Sequence, residues 1–396
     1  VGPALLDGTR TSHVLGDADT GGFLRVGPRE AFLVARLDGT RTPVDLADEY
    51  AEEFGRMLGP DHFTQLFALL GSRCLLEPAP AEQLRELTER ATRQRRESGR
   101  TPMLRRWPVR GAAAAVERIA PATSWLLHPV LVVPMSLLGA LAMVVAAEDA
   151  ARLSDDVGAA SWSAVLAGAV IAWLLILAHE VAHGVACVRY GGRPTEVGLM
   201  WRFPLVAPYC KVDDVVTFPH AWQRMMTSYA GVHVNLAAQA PLVGLWWTSA
   251  HAGGAAGWWH GVLGVAIVAN TMSVVVNLLP VLQLDGYHVL EHGLSCLHLQ
   301  RQTVRFLAAS VRRPRLDAYG PRARWTYGGY ALLAGGLLVT ALLLLVSAWY
   351  DALSGWWGPI PAVAFLLAEA VLLVAFVQWA RGRAQDRQSG AQEVVG

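Results

Sequence analysis

An apolar run that begins at Ile171 and reaches Ala178 leads directly into His179, Glu180, Val181, Ala182 and His183. Imidazoles four residues apart share one helical face, so both can approach a single ion. Glu180, next to the first histidine, can accept a proton from attacking water. Ionisable groups within an apolar segment are costly and by default mark function. The structural alternative is a polar contact inside a helix bundle. Two histidines are an incomplete ligand set, so a third ligand must come from elsewhere. From Asn277 to Tyr287 the chain reads NLLPVLQLDGY. Pro280 should break a helix there, and Gly286 should permit a sharp turn. Asp285 would then sit at the end of a buried segment. If the two segments pack together, two His and one carboxylate leave an open fourth position, which is a hydrolytic zinc arrangement.

These residues must be held by apolar segments, and the composition supplies them. Hydrophobic residues make up 53% of the 396-residue chain and charged residues only 16%, against about a quarter in soluble domains. Six segments are long enough to cross a bilayer, at roughly 126–147, 161–187, 228–249, 258–280, 328–349 and 359–380. Arg-rich and Arg-poor loops alternate between them. The linker before the first segment is basic, and Glu148 to Asp156 is mostly acidic. Arg189, Arg193, Arg202 and Lys211 follow the second segment, and no Lys or Arg lies between the third and fourth. The positive-inside rule therefore places both termini in the cytoplasm. The site then faces the cytoplasmic side, with its ligands on one side of the membrane.

Ahead of the membrane segments, residues 1–80 read as a small α+β domain and 81–120 as a basic helical linker. The first twenty residues lack the apolar core of a signal peptide. A strand is expected at Phe23 to Val26 and a helix from Glu30 to Leu37. An Asp38-Gly39 turn follows, then a helix opened by Pro43 and running to about Gly55. A further helix should span His62 to Leu70, with a return strand at Cys74 to Leu76. Between Ala81 and Arg118 lie ten arginines and five glutamates, fitting either a solvated helix or a segment near anionic headgroups. The four cysteines, Cys74, Cys187, Cys210 and Cys296, show no metal or disulfide spacing. A net charge of +1 gives no global field for nucleic acid, and no nucleic-acid partner is expected. The membrane domain should occupy 121–385, and 386–396 a polar tail.

HEVAH in one apolar segment and NLLPVLQLDG after a later one resemble the site-2 protease family of intramembrane zinc metalloproteases. The likeness covers roughly residues 160–295. It implies zinc held by His179, His183 and Asp285, with Glu180 as general base and acid. That family carries a G-x-x-x-N element in the intervening helix, matched here by Gly231 and Asn235. Asn235 would then place substrate or the developing oxyanion, or else make a helix–helix hydrogen bond. Asn277, which opens the second motif, shares the substrate or oxyanion expectation. The region from Pro194 to Thr217 resembles the membrane-associated strands of the peptide zinc metalloprotease branch, whose edge can hold an extended substrate. His288, Glu291 and His292 match an inverted zinc motif. With no third ligand evident, a second site is not expected, and His288 is a candidate partner of the main one.

The N-terminal words FLRV (Phe23–Val26), LDGTRT (Leu37–Thr42) and VDLA (Val44–Ala47) resemble PqqD-like winged-helix domains, which bind leader peptides of ribosomally made, modified peptides. Together these expectations describe a mostly α, polytopic protein of a bacterial cytoplasmic membrane, with about six transmembrane helices after a winged-helix domain. Its expected activity is zinc-dependent cleavage of a precursor-peptide leader. Cleavage of a membrane-anchored regulator, or non-catalytic peptide binding, are the alternatives. Glu369, in the last apolar segment, has no assigned role.

Overall fold

The computed structural model describes residues 1–16, 23–73, 75–76, 82, 85–86, 89, 100–101, 104–202, 205–251, 257–311 and 316–369. It divides into two units, Val1–Gly328 and Gly329–Gly396.

The N-terminal sheet has the order β1 (Leu5–Asp7), β2 (Arg10–Gly16), β3 (Phe23–Val26), all antiparallel. Three helices follow: α1 (Pro28–Val34), α2 (Pro43–Phe54) and α3 (Pro60–Ser72). Each has proline in its first turn, where the missing N–H has no helical partner to lose. Thr42 and Asp45 form a reciprocal capping box at the start of α2, satisfying two otherwise orphaned amides. Leu15, Val26, Leu33, Leu46, Tyr50, Phe63 and Leu70 bury together as the core of this region. The three helices and β3 lie where the sequence suggests, while β1 and β2 are additions. The return strand at Cys74–Leu76 does not form at Leu75 and Leu76, and Cys74 lies outside the described residues. Leu75 instead donates its amide to the Leu70 carbonyl, closing the end of α3.

The basic linker is not helical throughout. β4 (Arg100–Thr101) and β5 (Leu104–Pro108) join β6 (Glu196–Arg202) and β7 (Leu205–Lys211) in one antiparallel sheet, order β4-β5-β6-β7. Most of 81–99 lies outside the described residues. Residues 100–108 follow the Arg/Glu alternation and contain no Glu, and there pairing with a partner about ninety residues away sets strands where a helix was expected.

Helix α4 (Ala112–Thr123) leads into α5 (Pro129–Glu148), a short α6 (Ala150–Gly158) and the long α7 (Trp162–Arg189). After the β6–β7 hairpin come α8 (Ala221–His251), α9 (Trp258–Leu278), α10 (Asp285–Gly293) and α11 (Leu299–Ser310). Helix α12 (Pro321–Trp357) is followed by α13 (Pro359–Glu369). Four described helices are long and apolar enough to cross a membrane: α5, α7, α9 and α12. Helix α8 covers the third expected segment but buries Arg224, His233, Asn235 and Gln239. Asn270 of α9 bonds both the Asn235 carbonyl at 2.9 Å and Gln239 Oε1 at 2.6 Å, and Gln239 donates to Thr271 Oγ1 at 2.8 Å. Side-chain bonds between helices of this kind contribute about 0.6 kcal/mol each in a bilayer. They fix the α8–α9 register. The sixth segment is described only to Glu369, which accepts a hydrogen bond from Trp349 Nε1 at 3.1 Å. Residues 370–380 and the 386–396 tail lie outside the described residues.

Candidate metal centre

His179 and His183 project from α7, four residues apart, and both are buried. Their ring centroids are 4.9 Å apart. Helix α9 ends at Leu278, before Pro280, and α10 begins at Asp285. Asp285 Oδ2 lies 2.9 Å from His179 Nε2, and Oδ1 lies 3.4 Å from His183 Nε2. All three ligand atoms fall within 4.8 Å of one another, a group that could hold a metal ion.

The contacts fit a cation better than a hydrogen-bonded cluster. Despite its short separation from His179, Asp285 Oδ2 is buried with no hydrogen-bond partner. Two lone-pair atoms facing one point in this way are suited to an ion between them. His183 Nδ1 lies 2.8 Å from the Thr227 carbonyl. Because a carbonyl only accepts, Nδ1 carries a proton, and in the neutral ring Nε2 keeps its lone pair on the Asp285 side. A partner behind a histidine ligand commonly fixes the tautomer in this way. Neutral imidazoles and a carboxylate are a donor set that zinc accepts.

Two glycines set the approach of the elements. A Cβ on Gly231 of α8 would lie 2.5–2.6 Å from His179 Cδ2, Nε2 and Cε1. The imidazole therefore rests directly on the α8 backbone. A Cβ on Gly286 would lie 2.3 Å from the Leu278 carbonyl oxygen. The expected turn role for Gly286 gives way to this close approach, since Gly286 is not among the residues with positive φ and lies in the first turn of α10.

Glu180 is half-buried, and its Oε2 accepts the Cys210 amide of β7 at 2.9 Å. Burial, reinforced by the Glu180 carboxylate, pushes the Cys210 thiol up to about 12. At neutral pH it is a thiol rather than a thiolate ligand.

The other candidate residues have partners of their own. Asn235 Nδ2 donates to Ser273 Oγ at 3.0 Å, while its buried Oδ1 has no partner. Asn277 Nδ2 donates to the Ser273 carbonyl at 3.0 Å, one turn back on its own helix. His288 is half-exposed and lies 3.2 Å from Glu291 Oε2. Glu291 Oε1 accepts the Leu299 amide at 3.1 Å and so caps α11. Among the described residues, His288, Glu291 and His292 do not form a second metal-ligand group. Sequence reasoning passed over the Thr227 carbonyl and the Cys210 amide. Both are main-chain groups, which leave no signature in residue type.

No family model matches the chain, and no solved structure does. The chain is 26% identical over 261 residues to a protein of Mycolicibacterium smegmatis named "Putative zinc metalloprotease Rip2". The match covers 59% of this chain and 85% of that protein.

Proposed function

We propose that this protein is a zinc-dependent intramembrane endopeptidase of the site-2 type. The observation that carries the reading is the convergence of His179, His183 and Asp285 from two separate helices, with Glu180 beside them. Similarity to a protein named as a zinc metalloprotease supports it. Zinc held by these three residues would supply Lewis acidity toward water and the peptide carbonyl. Glu180 takes the proton of the attacking water and passes it to the departing amine nitrogen. The Thr227 carbonyl holds the His183 ring in its ligand tautomer, and Gly231 gives the His179 ring room. Surrounding helices limit water around the site, and the loop charges favour access from the cytoplasmic side.

The favoured substrate is the leader of a ribosomally made precursor peptide, bound first by the N-terminal domain. Its PqqD-like words lie on β3, the α1–α2 turn and α2. Strand β3 stands at the edge of its sheet, where an extended peptide can add by main-chain pairing. The test is co-expression with a candidate precursor, followed by mass spectrometry of the product. Wild type should yield a leaderless product, and Glu180→Gln should slow its formation by about 10²–10⁴-fold, the usual share of a general base. About one zinc per chain, lost in His179→Ala, is expected. Processing by Glu180→Gln at the wild-type rate would refute the reading.

A further inference from the structure

The outer edge of β7 carries hydrogen bonds that sheet pairing alone does not produce. Val109 N–H donates to the Val197 carbonyl at 3.0 Å, so Val197 turns its main-chain groups toward the β5 side. Its register partner on β7 is Cys210. Cys210 must therefore turn its own N–H and C=O away from β6, because antiparallel residues alternate between the two sides. By the same alternation, Val206, Pro208 and Cys210 present their main-chain groups on the outer edge.

Helix α7 occupies this edge at two points. Cys210 N–H donates to Glu180 Oε2 at 2.9 Å. Trp173 Nε1–H donates to the Val206 carbonyl at 3.3 Å. Pro208 has no N–H to offer. Trp173 and Glu180 are seven residues apart, about two turns along one helical face. The outer edge of β7 thus runs beside the helix that bears the two histidines, and its donor nearest the metal centre is bound to Glu180.

A peptide lying extended along β7 would present a carbonyl to the Cys210 amide, the ordinary partner of an outward strand N–H. We propose that the Cys210 N–H is a shared donor, orienting Glu180 in the free enzyme and turning to the scissile carbonyl of a substrate strand paired on β7, as Trp173 yields the Val206 carbonyl. This deepens the protease reading and rests on it. The exchange frees Glu180 when a carbonyl arrives. As water adds to the carbonyl carbon, the C=O electron pair moves to the oxygen and the water proton goes to Glu180. The Cys210 amide then faces the oxygen on which charge grows. When the C–N bond breaks, the pair returns to re-form C=O, and Glu180 gives its proton to the amine. Donors placed where charge develops act mainly on kcat.

Cys210→Pro removes the N–H on a face of β7 that makes no ladder bond, where proline is tolerated. Cys210→Ala, which loses only the thiol, is the reference. The probe is fluorophore-labelled casein, cleaved by the full-length, zinc-loaded protein in detergent. Cys210→Pro should retain its zinc yet lose about 10²-fold in kcat relative to Cys210→Ala, the scale of one oxyanion donor, with KM little changed. Trp173→Phe, which keeps the ring but loses the indole donor, should lower KM by about 2–10-fold, the worth of one neutral hydrogen bond. The proposal is overturned if zinc-loaded Cys210→Pro matches Cys210→Ala in kcat, or if Trp173→Phe leaves KM unchanged. If Cys210→Pro loses its zinc, Trp173→Phe decides, because it leaves β7 intact. Failure of the protease reading is separate: wild type and Glu180→Gln would then cleave casein equally.

Discussion

Replacing Gly231 with alanine tests whether the His179 ring is placed by the α8 backbone. The new Cβ would sit at 2.5, 2.5 and 2.6 Å from Cδ2, Nε2 and Cε1 of His179. Near-equal distances put the methyl over the ring face, not in the ring plane beside the Nε2 lone pair. Rotating the ring in place does not clear it. Ordinary contact begins near 3.4 Å, so the ring must recede by about 0.9 Å or the helices must part by as much. Ligand distances at a metal tolerate only about 0.2 Å. Overpacking of this kind costs about 1–3 kcal/mol in the protein itself. The metal site bears more, because a shift of about 1 Å in a reacting constellation can cost 10²-fold in rate. Gly231→Ala should therefore bind zinc at least about tenfold more weakly and cleave about 10²-fold more slowly. The assay pairs zinc content at buffered free zinc with kcat/KM. Gly244, on the same helix, has open space where its Cβ would lie, so Gly244→Ala serves as the control for an added methyl on α8. Wild-type zinc affinity and cleavage in Gly231→Ala would refute the placement of His179 against α8.

Gly286→Ala should be at least as damaging. Its Cβ would meet the Leu278 carbonyl oxygen at 2.3 Å and the Asn277 carbonyl oxygen at 2.9 Å, both main-chain atoms that cannot rotate away. We expect zinc loss together with lowered thermal stability, and a stable, zinc-loaded Gly286→Ala would exclude the packing of α10 against the end of α9. The stability of the folded chain should also fall in acid through His292. Burial, aided by Arg224 and His288 and opposed by Glu291, lowers this histidine to about 4 from an ordinary 6.5. Between those values the unfolded chain binds more protons than the folded one, so stability rises with pH from about 4 to 6.5 and is fully present above. His292→Gln should flatten that part of the thermal-unfolding profile relative to wild type. An unchanged slope between the two would remove His292 as the cause.

The residues that meet at the candidate metal centre were legible because each comes from a motif whose chemistry demands its residue type. The spacing of His179 and His183 is a helical period, and Pro280 with Gly286 punctuates the chain around Asp285. What the sequence did not reveal is how these groups are held. Thr227 acts through its carbonyl and Cys210 through its amide, so any residue but proline at 210 would read the same. Strands β1 and β2 were missed because the first twenty residues are rich in Gly, Asp and Thr, and β2 buries only Val14 and Leu15. Strand β5 was missed for a different reason. Its sequence LRRWP has two adjacent arginines and no alternation of apolar and polar residues, and pairing with β6 is a long-range choice that local spacing does not encode. Helix α8 was expected as a span, yet its buried polar residues lower its hydropathy: Asn235 and Gln239 bond across to α9, His233 lies 3.0 Å from Ser136 Oγ of α5, and Arg224 donates to the Phe218 carbonyl.

The N-terminal region is tied to the segment that follows the Asp285 helix. Leu6 N–H donates to the Ser295 carbonyl at 2.9 Å, and Leu297 N–H donates to the Leu6 carbonyl at 2.8 Å. Gln302 of α11 donates to Asp7 Oδ1 at 2.6 Å, and the Gly8 amide donates to the Tyr327 hydroxyl at 2.9 Å. Cys296, between the two bonded residues, donates its amide back to the Glu291 carbonyl in α10. Strand β1 is thus a structural neighbour of the helix that bears Asp285, at the opposite edge of its sheet from β3. Removing residues 1–80 would strip the partners of Ser295 and Leu297 as well as any peptide-binding edge. Loss of activity on truncation would therefore not by itself implicate leader binding. A change on the outward side of β3, such as Phe23→Pro at the first residue of the strand, where proline is tolerated, acts on one edge of the sheet while leaving the bonds of β1 to the 295–297 segment in place, and so separates recognition of a peptide from support of the candidate metal centre.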